Sequence, residues 1–371
     1  MLNFISLIIC CSSFAILLFY LLFFRMRLAF ASSNKLKPQL ENEIPVSVII
    51  CAKNEEDNLK INLPEILEQD YSNFEVVVID DNSTDETYYV LKAMQQKHKH
   101  LEIVRLSENV NFFKGKKFPL SIGIRSAKHP YLLLTDADTR PLSNQWIKSM
   151  SAGFTNNKKI VLGYGKYDSK SGFLNKIIRF ETMYTALQYF SFALAKIPYM
   201  GVGRNLAYEK SLFNDQKGFS QHYNVMSGDD DLFINACATK KNTSVVIHQD
   251  SFTVSEPHIT LGKWWKQKRR HLTTGTFYKT KHKLLLSLYP TAYVLFFLSF
   301  SFAIQDKNNF YILFSLLLLK VILSMVVYKK VTEKFFEKKL FIFSLFFEAF
   351  LILFYGIIFL TNMFSKQGKW K

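Results

Sequence analysis

A chain of 371 residues that is 49% hydrophobic, with a formal net charge of +17, is long enough for one substantial domain plus accessory elements. Its four cysteines, Cys10, Cys11, Cys51 and Cys237, form no CxxC pair, which leaves neither a disulfide framework nor a zinc site supported. Much of the basic excess flanks apolar runs, so it reads as attraction to anionic membrane lipids and not to nucleic acid.

Residues 1–24 carry no charge, enough to cross a hydrocarbon core that needs about 20 apolar residues. No positive charge precedes the run and no small-residue cleavage site comes after it, so it reads as an uncleaved transmembrane anchor. Arg25, Arg27, Lys35 and Lys37 come next, and the positive-inside rule then places the central region in the cytoplasm of a multi-pass protein of the plasma (inner) membrane.

From Pro45 the pattern alternates. Residues 45–51, 74–79, 101–106 and 131–135 read as buried strands, separated by helical stretches near 57–69, 83–98 and 116–127. This predicts an α/β domain with a parallel sheet over residues 45–275, and such sheets bind ligands beyond the carboxyl ends of their strands. Polar clusters come directly after three of the strands: Asn54-Glu55-Glu56, Asp80 to Asp85, and Asp136-Ala137-Asp138-Thr139.

Asp136 and Asp138, two apart on a turn, can converge on a hard cation such as Mg²⁺ or Mn²⁺; the alternative is a turn whose aspartates only cap the segment from Ser143 onward. Asp80 and Asp81 can accept from a base N–H or a ribose hydroxyl, while Ser83 and Asp85 mark a helix start. Asp229, Asp230 and Asp231 open another predicted helix, where the helix dipole explains one acidic residue but three are excessive. Crowding raises the pKa of one carboxylate toward that of a general base, and Asp230 is the choice. The stretch from Lys263 to His271 mixes cations with Trp264 and Trp265 as an interfacial helix does, but Gln267 and the pair Arg269-Arg270 also suit a leaving diphosphate.

Three further apolar runs, 284–305, 310–328 and 340–364, predict C-terminal transmembrane helices. The lysine-rich link 329–339 should lie inside and 306–309 outside; four spans then put the C-terminus outside, with Lys366, Lys369 and Lys371 against the rule. Lys320 and Glu348 fall within spans, where each unpaired charge costs about 2.5–3.5 kcal/mol. Both lie about 12 Å deep by helical rise, so an ion pair is expected, with snorkelling or a polar channel as the alternative. The aromatic stretch 173–199 is expected either along the membrane surface at the acceptor entrance or as a buried helix.

Together these segments resemble a family 2 glycosyltransferase of GT-A fold, a Rossmann-like nucleotide-sugar-binding domain. VIICAKNEE at 48–56 and IDDNSTDET at 79–87 resemble its nucleotide-contacting strand ends, Gly115-Lys116 its helix opening, and Asp136-Ala137-Asp138 its metal motif. GRNLAY at 203–208 resembles the acceptor-loop strand and Gly228-Asp229-Asp230 the base motif. QKRRH at 267–271 resembles the QxxRW of membrane synthases, with His271 in place of Trp. The resemblance implies inverting transfer from a nucleotide-sugar donor to a lipid or glycan acceptor, with Mg²⁺ or Mn²⁺ as cofactor. It assigns Asp230, Arg270 and Gln267 to catalysis, and Ala52, Asn54, Glu55, Asp80, Asp81, Lys116 and Asp136 to the donor. Asn205, Asp229, Trp265 and His271 fall to the acceptor, and Asp138 with Asp136 to the metal.

Two other readings compete. The stretch from Thr135 to Thr139 also resembles the DxDxT of haloacid-dehalogenase-type phosphatases, with Asp136 as nucleophile, but that leaves the first acidic strand ends unexplained. A non-catalytic membrane scaffold would have no use for the acidic clusters.

Overall fold

The computed structural model describes residues 2–32, 42–106 and 115–364. Lys35, Lys37, Lys366, Lys369 and Lys371, counted above in the charge balance, lie outside them.

The strand runs read from the sequence are strands: β1 (Val46–Ala52), β2 (Phe74–Asp80), β3 (Leu101–Arg105) and β4 (Tyr131–Asp136). Between them run α2 (Glu56–Leu67), α3 (Thr87–Lys97) and α4 (Lys117–Ser126), after an N-terminal helix α1 (Leu2–Phe19). These four strands are mutually parallel in the order β3-β2-β1-β4. The sheet as a whole is not parallel, contrary to expectation. Beyond β4 come β8 (Leu206–Glu209), antiparallel to β4, then β6 (Ile160–Leu162), antiparallel to β8, and β9 (Thr243–Val245). Runs of three or four residues are too short for periodicity to announce a strand, let alone its direction. A second sheet orders β5 (Thr139–Pro141), β10 (Thr253–Ser255) and β7 (Gly165–Tyr167) as β5-β10-β7.

Period-two alternation divides each central strand between two cores. Val46, Val48, Ile50, Val76, Val78 and Leu133 face one, shared with Leu59 and Leu63 of α2 and with Trp146 and Ile147 of α5 (Trp146–Ser151). Ile49, Val77, Ile79, Leu132 and Leu134 face the other, which continues without a break into α6 (Phe173–Leu194) and the apolar helices beyond it. Helix α6 is therefore buried between the sheet and these apolar helices: Phe192 stacks on Phe24 at 4.3 Å, and Phe180 lies 5.7 Å from Tyr328.

Among the described residues, four helices are long and apolar enough to cross a membrane. The first is α1, which runs on through a π-helical turn at Tyr20–Arg25 into Met26–Ala29. After the short helices α7 (Lys210–Asp215), α8 (Asp231–Cys237) and α9 (Leu261–Thr274) come the others, α10 (Thr280–Ala303), α11 (Phe310–Lys334) and α12 (Ser344–Phe364). The expected pair is present, Lys320 Nζ lying 3.1 Å from Glu348 Oε2. Arg25 joins it from α1, 2.6 Å from Glu348 Oε1, which also accepts from the Tyr289 hydroxyl at 2.7 Å. Arg25, read as a flanking charge, is thus buried and neutralised inside the bundle, because the helix continues past it to Ala29.

Candidate functional site

The loops after β1 and β2 are tied to each other. The Asp81 N–H donates to the Ala52 carbonyl at 2.8 Å, the Thr84 N–H to Asn54 Oδ1 at 2.8 Å, and the Asn54 N–H to Ser83 Oγ at 3.0 Å. Asn54 and Asn82 turn these loops with φ of 55° and 54°, a left-handed conformation that asparagine tolerates. Asp80 is fully buried and accepts from the Ser83 N–H at 3.0 Å, so it braces the turn, whereas Asp81 reaches solvent 3.5 Å from Lys53 Nζ. Asp85 accepts from the Thr87 N–H, which starts α3 later than Ser83 suggested, and from the Glu56 N–H.

At the end of β4, Asp136 is paired with Lys116 at the head of α4. Burial alone would raise the Asp136 pKa, but the cations of Lys116, Arg204 and Arg270 together hold it below the usual carboxylate range. Asp138 comes next in the turn to β5 and accepts from the Thr139 hydroxyl at 3.1 Å. The enclosing cleft walls, then Asp136, push its pKa up. Glu55 is raised by burial and, more weakly, by Asp138 and Asp136, which places it on the same cleft.

The three consecutive aspartates have separate partners. Asp230 accepts from the Gly203 N–H at 2.8 Å and the Asp231 N–H at 2.7 Å. Burial, and then Asp229 and Asp231, nevertheless push its pKa up to about 8. Asp229 acts electrostatically on both Lys116 and Asp230, so it stands between the metal-motif side and the Asp230 side. Asp231 turns away, accepting from Thr274, from the Tyr278 hydroxyl at 2.7 Å and from the Leu232 N–H at 2.7 Å.

The loop before Asp229 is fixed from α4. Lys117 Nζ donates to the carbonyls of His222, Val225 and Ser227 at 2.6, 2.8 and 2.9 Å. Gly115, at φ +115°, lets the chain pass so close that a Cβ there would lie 2.6 Å from the Met226 carbonyl oxygen.

Helix α9 closes the cleft. Gln267 Nε2 donates to the Tyr167 hydroxyl at 3.3 Å, and Gln267 Oε1 is buried with no hydrogen-bond partner among the described residues. The Arg204 guanidinium lies 4.3 Å from the centre of the same Tyr167 ring, and Arg270 is near enough to depress the Asp136 pKa. The other face of α9 packs on α12: Trp264 stacks on Phe354 at 4.5 Å and Trp265 meets it edge-on at 5.4 Å. Trp265 thus lies in the seam with that apolar helix, while His271 is exposed.

One residue expected at the acceptor is buried away from the cleft. Asn205 has no exposed surface, and its amide is consumed by Trp146 Nε1 at 3.1 Å and by the carbonyls of Tyr164 and Ser251 at 3.0 and 2.6 Å. In this structure it is a tie between the two sheets, with its amide fully engaged. Sequence reasoning passed over Arg204, its neighbour, although a cation inside the GRNLAY motif was a visible signal. It also passed over His258, whose pKa is lowered by burial and by Lys268, Lys263, Arg270 and Arg204; nothing around His258 in the sequence announces that cluster.

Among the described residues no group of three or more His, Cys, Asp or Glu is gathered to hold a metal alone. Mg²⁺ and Mn²⁺ commonly take one or two carboxylates and complete their shell with water and phosphate oxygens. Asp138, with Asp136 behind it, fits that kind of site.

A mixed sheet with acidic loops at its strand ends, facing cations on a later helix, is the architecture of a GT-A fold. Residues 47–216 match the model of the glycosyl transferase family 2. The probable glycosyltransferase YdaM of Bacillus subtilis is 25% identical over 296 residues, 72% of this chain and 68% of that protein. The Escherichia coli UDP-Glc:alpha-D-GlcNAc-diphosphoundecaprenol beta-1,3-glucosyltransferase WfaP is 29% identical over 133 residues, 35% of this chain and 48% of that enzyme. In other curated relatives the match spans 29–38% of their length. The mannosyltransferase PcManGT of Pyrobaculum calidifontis, solved with GDP-Man and Mn²⁺, superposes with a TM-score of 0.61 at 18% identity over 99% of this chain and all of that one, a likeness of fold. The family match leaves the phosphatase reading of Asp136 without support.

Proposed function

We propose that this chain is a metal-dependent, inverting glycosyltransferase that moves a sugar from a nucleotide donor to the hydroxyl of a lipid or glycan acceptor at the cytoplasmic face of the membrane. The observation that carries this reading is Asp230. It is a carboxylate oriented by two backbone N–H groups, with a pKa pushed up to about 8, across a cleft from Asp136, Asp138 and the cations Arg204 and Arg270.

In this reading Asp81, Asn54 and Glu55 line the nucleotide side, and Asp80 and Ala52 hold their loops in place. Asp138 and Asp136 would hold Mg²⁺ or Mn²⁺, which when bound supplies positive charge for the diphosphate. Asp230 takes the proton of the acceptor hydroxyl as its oxygen forms a bond to the anomeric carbon. The bond from that carbon to the diphosphate oxygen breaks on the opposite face, which inverts the configuration. Arg270 and Arg204 stabilise the charge on the departing nucleoside diphosphate, and Gln267 anchors α9 through Tyr167. Lys116 keeps Asp136 ionised. A membrane-borne acceptor is favoured because the core beneath the cleft runs directly into apolar helices, and the E. coli relative acts on a diphosphoundecaprenol-linked sugar.

The test is release of nucleoside diphosphate by detergent-purified protein, offered UDP- and GDP-sugars with Mg²⁺, Mn²⁺ or a chelator. Release from one donor, abolished by the chelator and by Asp138→Ala, supports the reading. Release that persists in the chelator contradicts its metal dependence, and phosphate release from phosphoesters without any nucleotide product contradicts the transferase.

A further inference from the structure

Both ends of the last apolar helix are bound to the α/β domain. Just before its N-terminus, Glu337 is buried against Lys166 of β7, at 3.2 Å, and Arg179 of α6. Near its C-terminus, Asn362 accepts from Arg269 Nε of α9 at 2.9 Å and donates to the Arg269 carbonyl at 3.2 Å. The stretch between keeps the same company. Phe347 lies 5.5 Å from Phe173 and 5.3 Å from Phe180, the Tyr355 hydroxyl donates to Glu181, and Phe354 stacks on Trp264.

A helix of 21 residues is about 30 Å long, the thickness of the hydrocarbon core. Were α12 to cross that core, Glu337 and Asn362 would stand in opposite water phases, yet both are fastened to one folded domain. Helix α1 provides the contrast. It meets the domain through Phe24 and Arg25 at its C-terminal turns and pairs with α10 further along, Phe14 lying 6.1 Å from Phe296. The faces of α12 agree: Phe347, Leu351, Phe354 and Ile358 are buried, while Phe346, Leu353, Ile357 and Leu360 form an exposed apolar stripe.

We propose that α12 is not a fourth span. It lies in the plane of the membrane beneath α6 and α9, its buried face on the domain and its exposed stripe in the acyl boundary of the leaflet that the domain faces. The protein then has three spans, α1, α10 and α11, and its C-terminus emerges on the domain's side. This removes the conflict between the C-terminal lysines and the positive-inside rule.

The full chain with a C-terminal epitope tag, in sealed right-side-out and inside-out vesicles, tests this by protease digestion with antibodies to the tag and to the α/β domain. Tag and domain should be cleaved together in one vesicle type and protected together in the other; cleavage in opposite types overturns the proposal. A second probe measures depth. With the native cysteines replaced by alanine and a spin label at Ile357→Cys, the label should report about 5–10 Å below the headgroups. A position near the bilayer centre, about 15 Å down, overturns it.

Discussion

The Tyr278 hydroxyl donates a 2.7 Å hydrogen bond to Asp231 Oδ2, fastening the helix that begins beside Asp230 to the segment just after α9. The proposed base and the proposed diphosphate cation therefore share one strut. Tyr278→Phe removes one donor from a buried carboxylate that keeps Thr274 and the Leu232 N–H. The expected outcome is a loss of about 1–3 kcal/mol of stability by denaturant titration. Turnover should fall several-fold, with nucleoside diphosphate affinity unchanged.

The pKa of Asp230 makes ligand-free stability depend on pH in a definite direction. Its folded value, about 8, lies above the ordinary 3.8. The neutral acid is the form the fold favours, so this contribution is complete below the ordinary value and is lost as pH rises through about 8. Melting temperature should decline between pH 6 and 9, flattening in Asp230→Asn. Turnover should rise over the same interval, since the base acts only when ionised.

Much of this site was legible in the sequence because acidic residues crowd the ends of apolar runs, and β1 to β4 with their helices lie close to where hydrophobic periodicity puts them. The acidic runs did not reveal how the labour is divided. Asp80 and Asp81 are neighbours, but the first is buried at the end of β2 and the second, one residue past it, is only partly buried. The burial of Asn205 was not legible because a polar residue in a loop-like motif looks available, whereas its burial depends on Trp146 and Ser251, distant in sequence. Arg25 was misread for a similar reason: its partner Glu348 lies at the other end of the chain.

Asn205→Ala discriminates between a structural tie and an acceptor contact. Deleting the amide strands the buried Trp146 N–H and two carbonyls, with an expected loss of about 2–4 kcal/mol. The folded fraction should retain the wild-type acceptor KM. A raised KM without loss of stability would return Asn205 to the acceptor site.

The buried charge cluster should behave as a unit. Glu348→Gln leaves Arg25 and Lys320 both uncompensated and should cost about 3–5 kcal/mol in detergent. Lys320→Met should cost less, because Arg25 still neutralises the carboxylate. The double variant should be more stable than the sum of the two losses predicts, and strict additivity would show that the 3.1 Å pair carries no coupling.

The central claim is that Asp230 is the base for transfer, and its most direct test separates binding from chemistry. Asp230→Asn should bind nucleoside diphosphate with Mn²⁺ to within about twofold of wild type by titration calorimetry, while its transfer rate falls by about 10²–10⁴. A variant that binds normally and turns over at the wild-type rate would contradict the account and move the search for the base to Asp229 or Glu55.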